Sequence, residues 1–510
     1  MTKHGCVYLV GGGPGDPGLL TVRARQLLER ADVVVYDHLI SPRLLDWARR
    51  EAERIYVGKQ PGSHTLSQDQ IGQLLIDRAG QGKCVVRLKG GDPIVFGRGG
   101  DEALALAAAG VPFEIVPGVT AAIGAAAYAG IALTHRGLAS NVALVTGHEA
   151  PGKSVSDLDY DALAKWKGTL AFYMGVKNLP EICRRLIACG LDGQTPAAVI
   201  HWGTTPRQRV LAGAVETIAD LARDAGIAPP AICLMGKVVA LRDQLKWFET
   251  RPLFGKRIVV TRPRAQAGEL IDRLTELGAE VIALPTIRIE APDDPTPLAA
   301  AVDELERFDW IVLTSANAVT ALFGALAAAE KDSRALAANR LCVIGPATAA
   351  HLAHFGVRAD LLARQARHEA VVEALVEKAD LTGAAILHPR ADIAGGELAA
   401  QLTARGACVR EVIAYRTVAE SSGAQVAARL FSSEDPADRV DWVTFTSPST
   451  VKGFFAMVAP ALCRERSVRL ASIGPSTTTA LAELELAAAV EARSHTVEGL
   501  IEAVLDHHKQ

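Results

Sequence analysis

Short apolar runs rich in β-branched residues alternate along this chain with longer, alanine-rich stretches. Val7 to Val10, Asp32 to Tyr36, Arg54 to Gly58 and Cys84 to Leu88 carry the near-continuous hydrophobic pattern of buried strands. Helix-forming segments fall between them, which predicts α/β layers. The alternation runs to Val238–Arg242, gives way to the polar, proline-containing stretch 249–256, and restarts at Arg257–Val260. That break predicts one unit over residues 1–250, a linker over 251–256 and a second unit over 257–510. Size agrees, because a single core stops growing near about 250–300 residues.

The second unit repeats itself. Val260–Arg264, Gly268–Leu270 and Gly278–Ala279 return as Leu387–Ala391, Gly396–Leu398 and Gly406–Ala407. Trp310–Ser315 returns as Trp442–Ser447, and Ile344–Thr348 as Ile473–Thr477. The offset stays near 130 residues throughout, as duplication requires. Two similar lobes imply a cleft between them, the usual place for a ligand.

Glycine and proline punctuate the strand ends. Gly11-Gly12-Gly13-Pro14-Gly15-Asp16-Pro17 follows the first run, and Gly90-Gly91-Asp92-Pro93-Ile94-Val95-Phe96-Gly97-Arg98-Gly99-Gly100 follows the run from Cys84. In α/β sheets ligands bind outside the carboxyl ends of the strands. Glycine there admits close backbone approach and proline fixes the turn. The first loop resembles the opening of a dinucleotide fingerprint, yet Pro14, Asp16 and Pro17 interrupt it and the nearest helix begins near Thr21. Taken alone it leaves a nicotinamide site and a purely structural turn both open, and the second loop favours a different nucleoside ligand.

Two strand ends present Asp37 and Lys59. They suit a base and an acid, or a plain surface ion pair. Further strand-end groups are Thr120, Ala121, Met174 and Gly203, with Met174 equally readable as a core filler. Arg87, Lys89, Arg98, His135 and Arg136 offer positive charge to an acidic substrate. In the second unit Ser315, Asn317, Ser447, Ser449, Ser476 and Thr477 stand where strands meet helices. Each suits helix capping. Their recurrence at equivalent strand ends also suits carboxylate binding by open helix N-termini. No nucleophile elbow or catalytic dyad is present there. Tyr415 is the one candidate for assisting a leaving hydroxyl, its alternative being a boundary tyrosine between strand and loop.

Composition narrows the classes. Hydrophobic residues make up 49% and charged residues 22%, and the net charge of −3 provides no basic field for nucleic acid. Eight cysteines are scattered singly without metal-ligand spacing, so no metal is expected and a reducing cytosol is. The polar N-terminus lacks a secretory pattern, and the longest apolar stretch, Val119 to Leu133, is too short and weak for a bilayer. A soluble, cytoplasmic protein without membrane contact is expected.

At these residues the first half resembles the uroporphyrinogen-III C-methyltransferases, S-adenosylmethionine enzymes of the tetrapyrrole methylase fold with two α/β subdomains. The likeness covers nearly all of residues 5–245 and includes Val-Val-Tyr-Asp, Val-Gly-Lys, Arg-Leu-Lys-Gly-Gly-Asp-Pro, Phe-Gly-Arg-Gly-Gly, Pro-Gly-Val-Thr-Ala, Leu-Thr-His-Arg, Val-Thr-Gly-His and Tyr-Met-Gly. Gly12 and Ala132 depart from it, standing where alanine and proline are more usual. The resemblance implies that Pro14, Gly90, Gly91, Asp92, Val95, Thr120, Ala121, Met174 and Gly203 hold S-adenosylmethionine. It also implies Asp37 as proton acceptor, Lys59 as proton donor, Arg98 and Arg136 as substrate contacts, and a homodimer through this half.

The second half resembles uroporphyrinogen-III synthase through Thr-Ser-x-x-x-Val, Ile-Gly-Pro-x-Thr and Ala-Tyr-Arg. This implies two α/β lobes, about 257–288 with 417–510 and about 289–416, joined by a two-stranded connection. It implies cofactor-free cyclisation of hydroxymethylbilane, with Tyr415 assisting hydroxyl departure and Ser315, Asn317, Ser447, Ser449, Ser476 and Thr477 meeting carboxylates. Together the two likenesses predict a bifunctional enzyme whose second half makes uroporphyrinogen III and whose first half dimethylates it to precorrin-2. The alternatives are a methyltransferase of another precorrin, and a second half that only binds tetrapyrroles.

Overall fold

The structure, a computed structural model, describes residues 5–58, 66–148, 158–363, 368–420, 422–435 and 438–509. It divides into two compact units, Met1–Lys256 with Leu277–Glu280, and Arg257–Glu276 with Val281–Gln510.

The first unit holds two sheets. Strands β1 (Cys6–Gly11), β2 (Val33–Tyr36), β3 (Glu53–Tyr56), β4 (Cys84–Lys89) and β5 (Phe113–Val116) lie in the order β3-β2-β4-β1-β5. Every neighbouring pair is parallel. Val7, Leu9, Val33, Val35 and Val85 pack on one face, and Val10, Val34, Val86 and Leu88 on the other. Coverage of both faces is why these strands read as unbroken apolar runs. After β1 the chain leaves towards β2, whereas after β4 it crosses to β5. The ends of β1 and β4 are therefore a topological switch point, where such sheets open a crevice.

The second sheet contains β6 (Val142–Thr146), β7 (Thr169–Tyr173), β8 (Pro196–His201), β9 (Arg209–Ala214) and β10 (Ala231–Met235), in the order β6-β7-β10-β8-β9. Only β6 and β7 are parallel; the remaining pairs run antiparallel.

The second unit also has two sheets. One is ordered β12-β11-β19-β20-β21, from β11 (Arg257–Val260), β12 (Glu280–Ala283), β19 (Trp442–Phe445), β20 (Arg469–Ser472) and β21 (Val490–Glu491). The other is ordered β13-β18-β17-β14-β15-β16, from β13 (Ile287–Glu290), β14 (Trp310–Leu313), β15 (Arg340–Ile344), β16 (Leu361–Ala363), β17 (Ala385–Ala391) and β18 (Cys408–Ala419). The orders superpose strand for strand, β12-β11-β19-β20-β21 on β18-β17-β14-β15-β16, as the sequence repeat demands. β13 and the end of β18 pair antiparallel, Ile287 opposite Ala419, and carry the chain between the two sheets.

One device recurs in three sheets. Asp32, Asp309 and Asp441 each precede a strand and accept, through one carboxylate oxygen, the first amide of the neighbouring strand, from Cys84 at 2.8 Å, Ala385 at 2.8 Å and Arg257 at 2.9 Å. In each case the aspartate's own amide donates back to that residue's carbonyl at 2.9 Å. The reciprocal pair pins the register of two parallel strands, where a one-residue slip would turn the buried set outward. Among the described residues no helix is long and apolar enough to cross a membrane.

Candidate active sites

The two glycine loops of the first unit bind each other. Gly13 donates to the Gly91 carbonyl at 3.1 Å, Gly91 donates to Gly13 at 2.7 Å, and Gly12 donates to Lys89 at 2.7 Å. A third loop, after β5, closes on them. A Cβ at Gly118 would lie 2.3 Å from the Gly91 carbonyl oxygen and 2.8 Å from Gly11 Cα. Backbone packs on backbone here, and no side chain fits between. Asp92 fastens the same junction, its Oδ1 accepting from the amides of Ile94 (2.8 Å) and Val95 (3.0 Å) and its Oδ2 from Gly118 (3.0 Å). Gly90 presses on the segment after β2, where its Cβ would come within 2.6 Å of Leu39 Cβ. The strand end bearing Asp37 therefore adjoins the loops.

The second sheet contributes the other wall. Pro14 packs against Gly124, Gly203 against Ala125, and the amide of Asp16 donates to Thr204 Oγ1 at 3.1 Å. Asp16 also accepts from the Tyr128 hydroxyl at 2.7 Å, which, with burial, pushes that phenol's pKa upward, burial being the larger cause. Thr120 is buried and lies 2.6 Å from the Tyr173 hydroxyl. That hydroxyl accepts from the Ala122 amide at 3.0 Å, so its own proton is free for Thr120. Ala121 opens the helix Ala121–Tyr128 beside them. Phe96 and Met174 hold φ near +54°, and Thr204 near +67°, a backbone cost of roughly 1–3 kcal/mol each that the surroundings must support. Val95 is half-buried between Asp92 and Phe96.

Asp37 keeps a fifth of its side chain exposed, with Leu39 donating to Oδ1 at 3.1 Å and Arg87 lying 3.4 Å from Oδ2. Lys59 lies outside the described residues. Arg98 is exposed and bonds Asp101 at 2.9 Å, and Arg136 is exposed in the loop before β6. Arg87 and Lys89 do not stand in an open mouth as their charge suggested. Both are buried and paired with Glu102, because β4 directs them to the face covered by the helix Gly99–Ala108.

In the second unit the strand ends carry hydroxyls, but only two of them cap. Ser315 accepts from the Ala318 amide at 3.1 Å and Ser447 from Thr450 at 3.3 Å. Asn317, Ser449, Ser476 and Thr477 lie two to three residues past the cap, inside the first turn. Proline at the start of the Ser449 and Ser476 helices fixes that frame, since its missing N–H is tolerated only there. Ser449 bonds Ser447 at 2.9 Å, Ser476 is exposed, and Thr477 is buried. Tyr415 lies 2.9 Å from Ser315 Oγ. Burial pushes its phenol up, while hydrogen bonding with Ser315 and Asn317 works against that. Gln266, from the helix after β11, donates to Asn317 at 2.6 Å, so both lobes reach this cluster.

A family model described as tetrapyrrole (corrin/porphyrin) methylases matches residues 6–219, and one described as uroporphyrinogen-III synthase HemD matches residues 268–502. Over 510 residues the chain is 36% identical to the porphyrin biosynthesis protein HemD of Ruminiclostridium josui, covering 99% of this chain and 98% of that one. The chain belongs to this family of fused tetrapyrrole methylases and uroporphyrinogen-III synthases. The chain is also similar to the uroporphyrinogen-III C-methyltransferase of Bacillus subtilis, 43% identical over 340 residues, 66% of this chain and 69% of that protein. Among solved structures, the native uroporphyrin III C-methyl transferase from Thermus thermophilus is 41% identical with a TM-score of 0.40, covering 46% of this chain and 100% of that one.

The methylase unit exposes large apolar side chains beside its glycine floor. Leu39, Ile94, Phe96 and Met174 are large and apolar yet 40–49% exposed, all on the loops just described. An apolar rim around exposed peptide groups suits a flat ring and a ribose. Tyr128 escaped sequence reasoning, while Tyr173 and Thr204 stood in strand-end motifs that gave no sign of what they bond. Their partners Asp16, Thr120 and again Asp16 lie 112, 53 and 188 residues away, and no local pattern marks such pairs. In the synthase unit, Gln266 was missed for the same reason.

Proposed function

We propose that the chain catalyses two consecutive steps on tetrapyrroles. Its synthase unit converts hydroxymethylbilane to uroporphyrinogen III, and its methylase unit methylates that product at C2 and C7 to give precorrin-2. The observation that carries the reading is the junction of the Gly13, Gly91 and Gly118 loops beside Asp37, at a switch point of a parallel sheet.

S-adenosylmethionine supplies the methyl group when bound. Pro14, Gly90, Gly91, Val95, Thr120, Ala121, Met174 and Gly203 shape its pocket, and Asp92 holds the loops in that shape. Alignment of the attacking pyrrole carbon with the methyl is worth many orders of magnitude when held rigidly. Asp37 takes the proton released from the methylated macrocycle, and Lys59 is the proton donor. Arg98 and Arg136, both exposed, meet the substrate's carboxylates.

In the synthase unit the Tyr415 hydroxyl assists departure of the substrate's hydroxyl. Ser315, Asn317, Ser447, Ser449 and Ser476, at helix N-termini, grip the acidic side chains, with Thr477 buried behind them. The last pyrrole inverts through a spiro intermediate while held, and no cofactor is required. The active form is a cytoplasmic homodimer joined through the methylase unit, without nucleic acid.

Chromatographic separation of isomers with mass spectrometry of the full chain's products from hydroxymethylbilane and S-adenosylmethionine tests this. A type III macrocycle carrying two added methyl groups is expected. Formation of the type I isomer alone, or no methyl gain, overturns it.

A further inference from the structure

Beside Asp37 lie three buried charges, Arg87, Lys89 and Glu102, to which the reaction above assigns no role. Arg87 and Lys89 are two apart on β4 and leave the same face of the sheet, with side chains 4% and 7% exposed. Glu102, in the first turn of the helix that follows the second glycine loop, is fully covered. Its Oε1 receives Lys89 Nζ at 2.9 Å, Arg87 Nε at 3.3 Å and Gln68 Nε2 at 2.9 Å. Arg87 bonds the carbonyls of Val35 and Leu88 through Nη1 and reaches Asp37 Oδ2 at 3.4 Å through Nη2.

Two cations and two carboxylates balance in this cluster. Balance matters because an unpaired buried charge is strongly destabilising. A guanidinium cannot release its proton. Lys89 can: burial pulls its pKa down, repulsion from Arg87 adds to that, and Glu102 opposes both. Among the described residues, Tyr56 on β3 also senses Asp37: its phenol is raised by burial and then by the Asp37 charge. Lys89 is what leaves Arg87 free for Asp37. Without it, Glu102 draws the guanidinium inward. Without Glu102, two like charges press on each other and on Arg87.

We propose that Glu102 and Lys89 are positioning residues for methyl transfer, which hold Arg87 where its outer nitrogen fixes Asp37 against the glycine loops. The inference rests on the methyltransferase reading with Asp37 as its base. Its structural logic is that one buried cluster ties the end of β2, the end of β4 and the helix behind the second loop. A displacement of about 1 Å among such pieces can slow a reaction by about 100-fold.

The test uses the full chain with uroporphyrinogen III and methyl-labelled S-adenosylmethionine. Turnover, KM and the pH profile are compared for wild type, Glu102→Gln, Lys89→Met, the double variant and Asp37→Asn. Calorimetric binding of S-adenosylhomocysteine and the rate of hydroxymethylbilane cyclisation report on folding. Each single variant is expected to lower kcat by roughly 10–100-fold with little change in S-adenosylhomocysteine affinity or cyclisation. The acid limb of the rate profile should move up in Lys89→Met, which leaves excess negative charge, and down in Glu102→Gln, which leaves excess positive charge. The double variant, balanced again, should recover both rate and profile. The proposal is overturned if the singles keep wild-type turnover, if the double is as slow as the product of the two, or if all three lose S-adenosylhomocysteine binding. Wild-type turnover in Asp37→Asn would instead defeat the assignment of the base, and absence of methylation by the wild type the reading itself.

Discussion

Ser315 Oγ and Tyr415 Oη lie 2.9 Å apart across 100 residues of sequence, and the same serine caps the helix Ala316–Ala328. The serine fixes where the phenol oxygen sits. Tyr415→Phe keeps the packing and removes the proton, so cyclisation of hydroxymethylbilane should slow by about 100-fold or more, the usual range for a lost general acid. Ser315→Ala should slow it less, since the phenol remains but is free to rotate. Initial rates and the type I to type III ratio, read by chromatography of the oxidised products, decide the matter. Unchanged rates in Tyr415→Phe would remove the residue from the mechanism.

Asp92 takes three backbone amides on one carboxylate, two from its own loop and one from Gly118. Asp92→Ala leaves those donors unsatisfied, a loss of roughly 1–3 kcal/mol for each that stays buried. The variant should unfold at lower urea concentration and bind S-adenosylhomocysteine more weakly, while hydroxymethylbilane cyclisation is unaffected. Equal affinity in titration calorimetry would show that the loops keep their shape without this tie.

The strands and the duplicated lobes were legible because their signals are local or periodic. β-Branched runs such as Val33–Val35 read as buried strands, and the Trp310 and Trp442 segments share their tryptophan and their closing Thr-Ser at the same spacing. The glycine loops stood out in the sequence as candidate ligand loops, yet much of their glycine serves backbone-to-backbone packing, as at Gly118. What stayed hidden depends on which way a side chain turns. Glu102 reads as one more surface acid in a helix, and becomes a buried partner of Arg87 and Lys89 only because that face of the helix meets β4. Ser449 and Ser476 read as caps until the proline before each sets the helix start one residue earlier than the hydroxyl.

Asp32 yields a prediction with a definite sign. The hydrogen bond from the Cys84 amide, and then the Arg49 guanidinium, hold its carboxyl below the ordinary carboxylate range. The folded chain therefore releases this proton more readily than the unfolded one, and the stabilisation is complete above the unfolded value of about 3.9. It disappears as pH falls through the lower, folded value. Asp32→Asn keeps an acceptor and removes the charge, so its deficit in unfolding free energy should be present at pH 7 and shrink below about pH 4. The side chain is 41% exposed, so screening keeps the deficit under about 1 kcal/mol. Urea unfolding at pH 7 and pH 3 measures it, and a deficit that grows on acidification contradicts the account.

Gly118 and Gly100 separate two uses of glycine in one site. Gly118 meets the Gly91 carbonyl and Gly11 Cα, both backbone atoms fixed by sheet and loop hydrogen bonds. A methyl there cannot be accommodated by a rotamer change, so Gly118→Ala should destabilise the methylase unit by about 1–3 kcal/mol or more and abolish S-adenosylhomocysteine binding. Gly100 belongs to the motif that signals the site, but nothing lies within 4 Å of the Cβ it lacks, and it sits inside the helix Gly99–Ala108. Gly100→Ala should therefore leave binding intact and raise stability by about 0.5–1 kcal/mol, the difference between the two residues in a helix. Urea midpoints and calorimetric titrations on the two variants compare them directly. Equal damage from both would mean that the motif's glycines are needed for contact with the ligand, and the packing argument for Gly118 would lose its force.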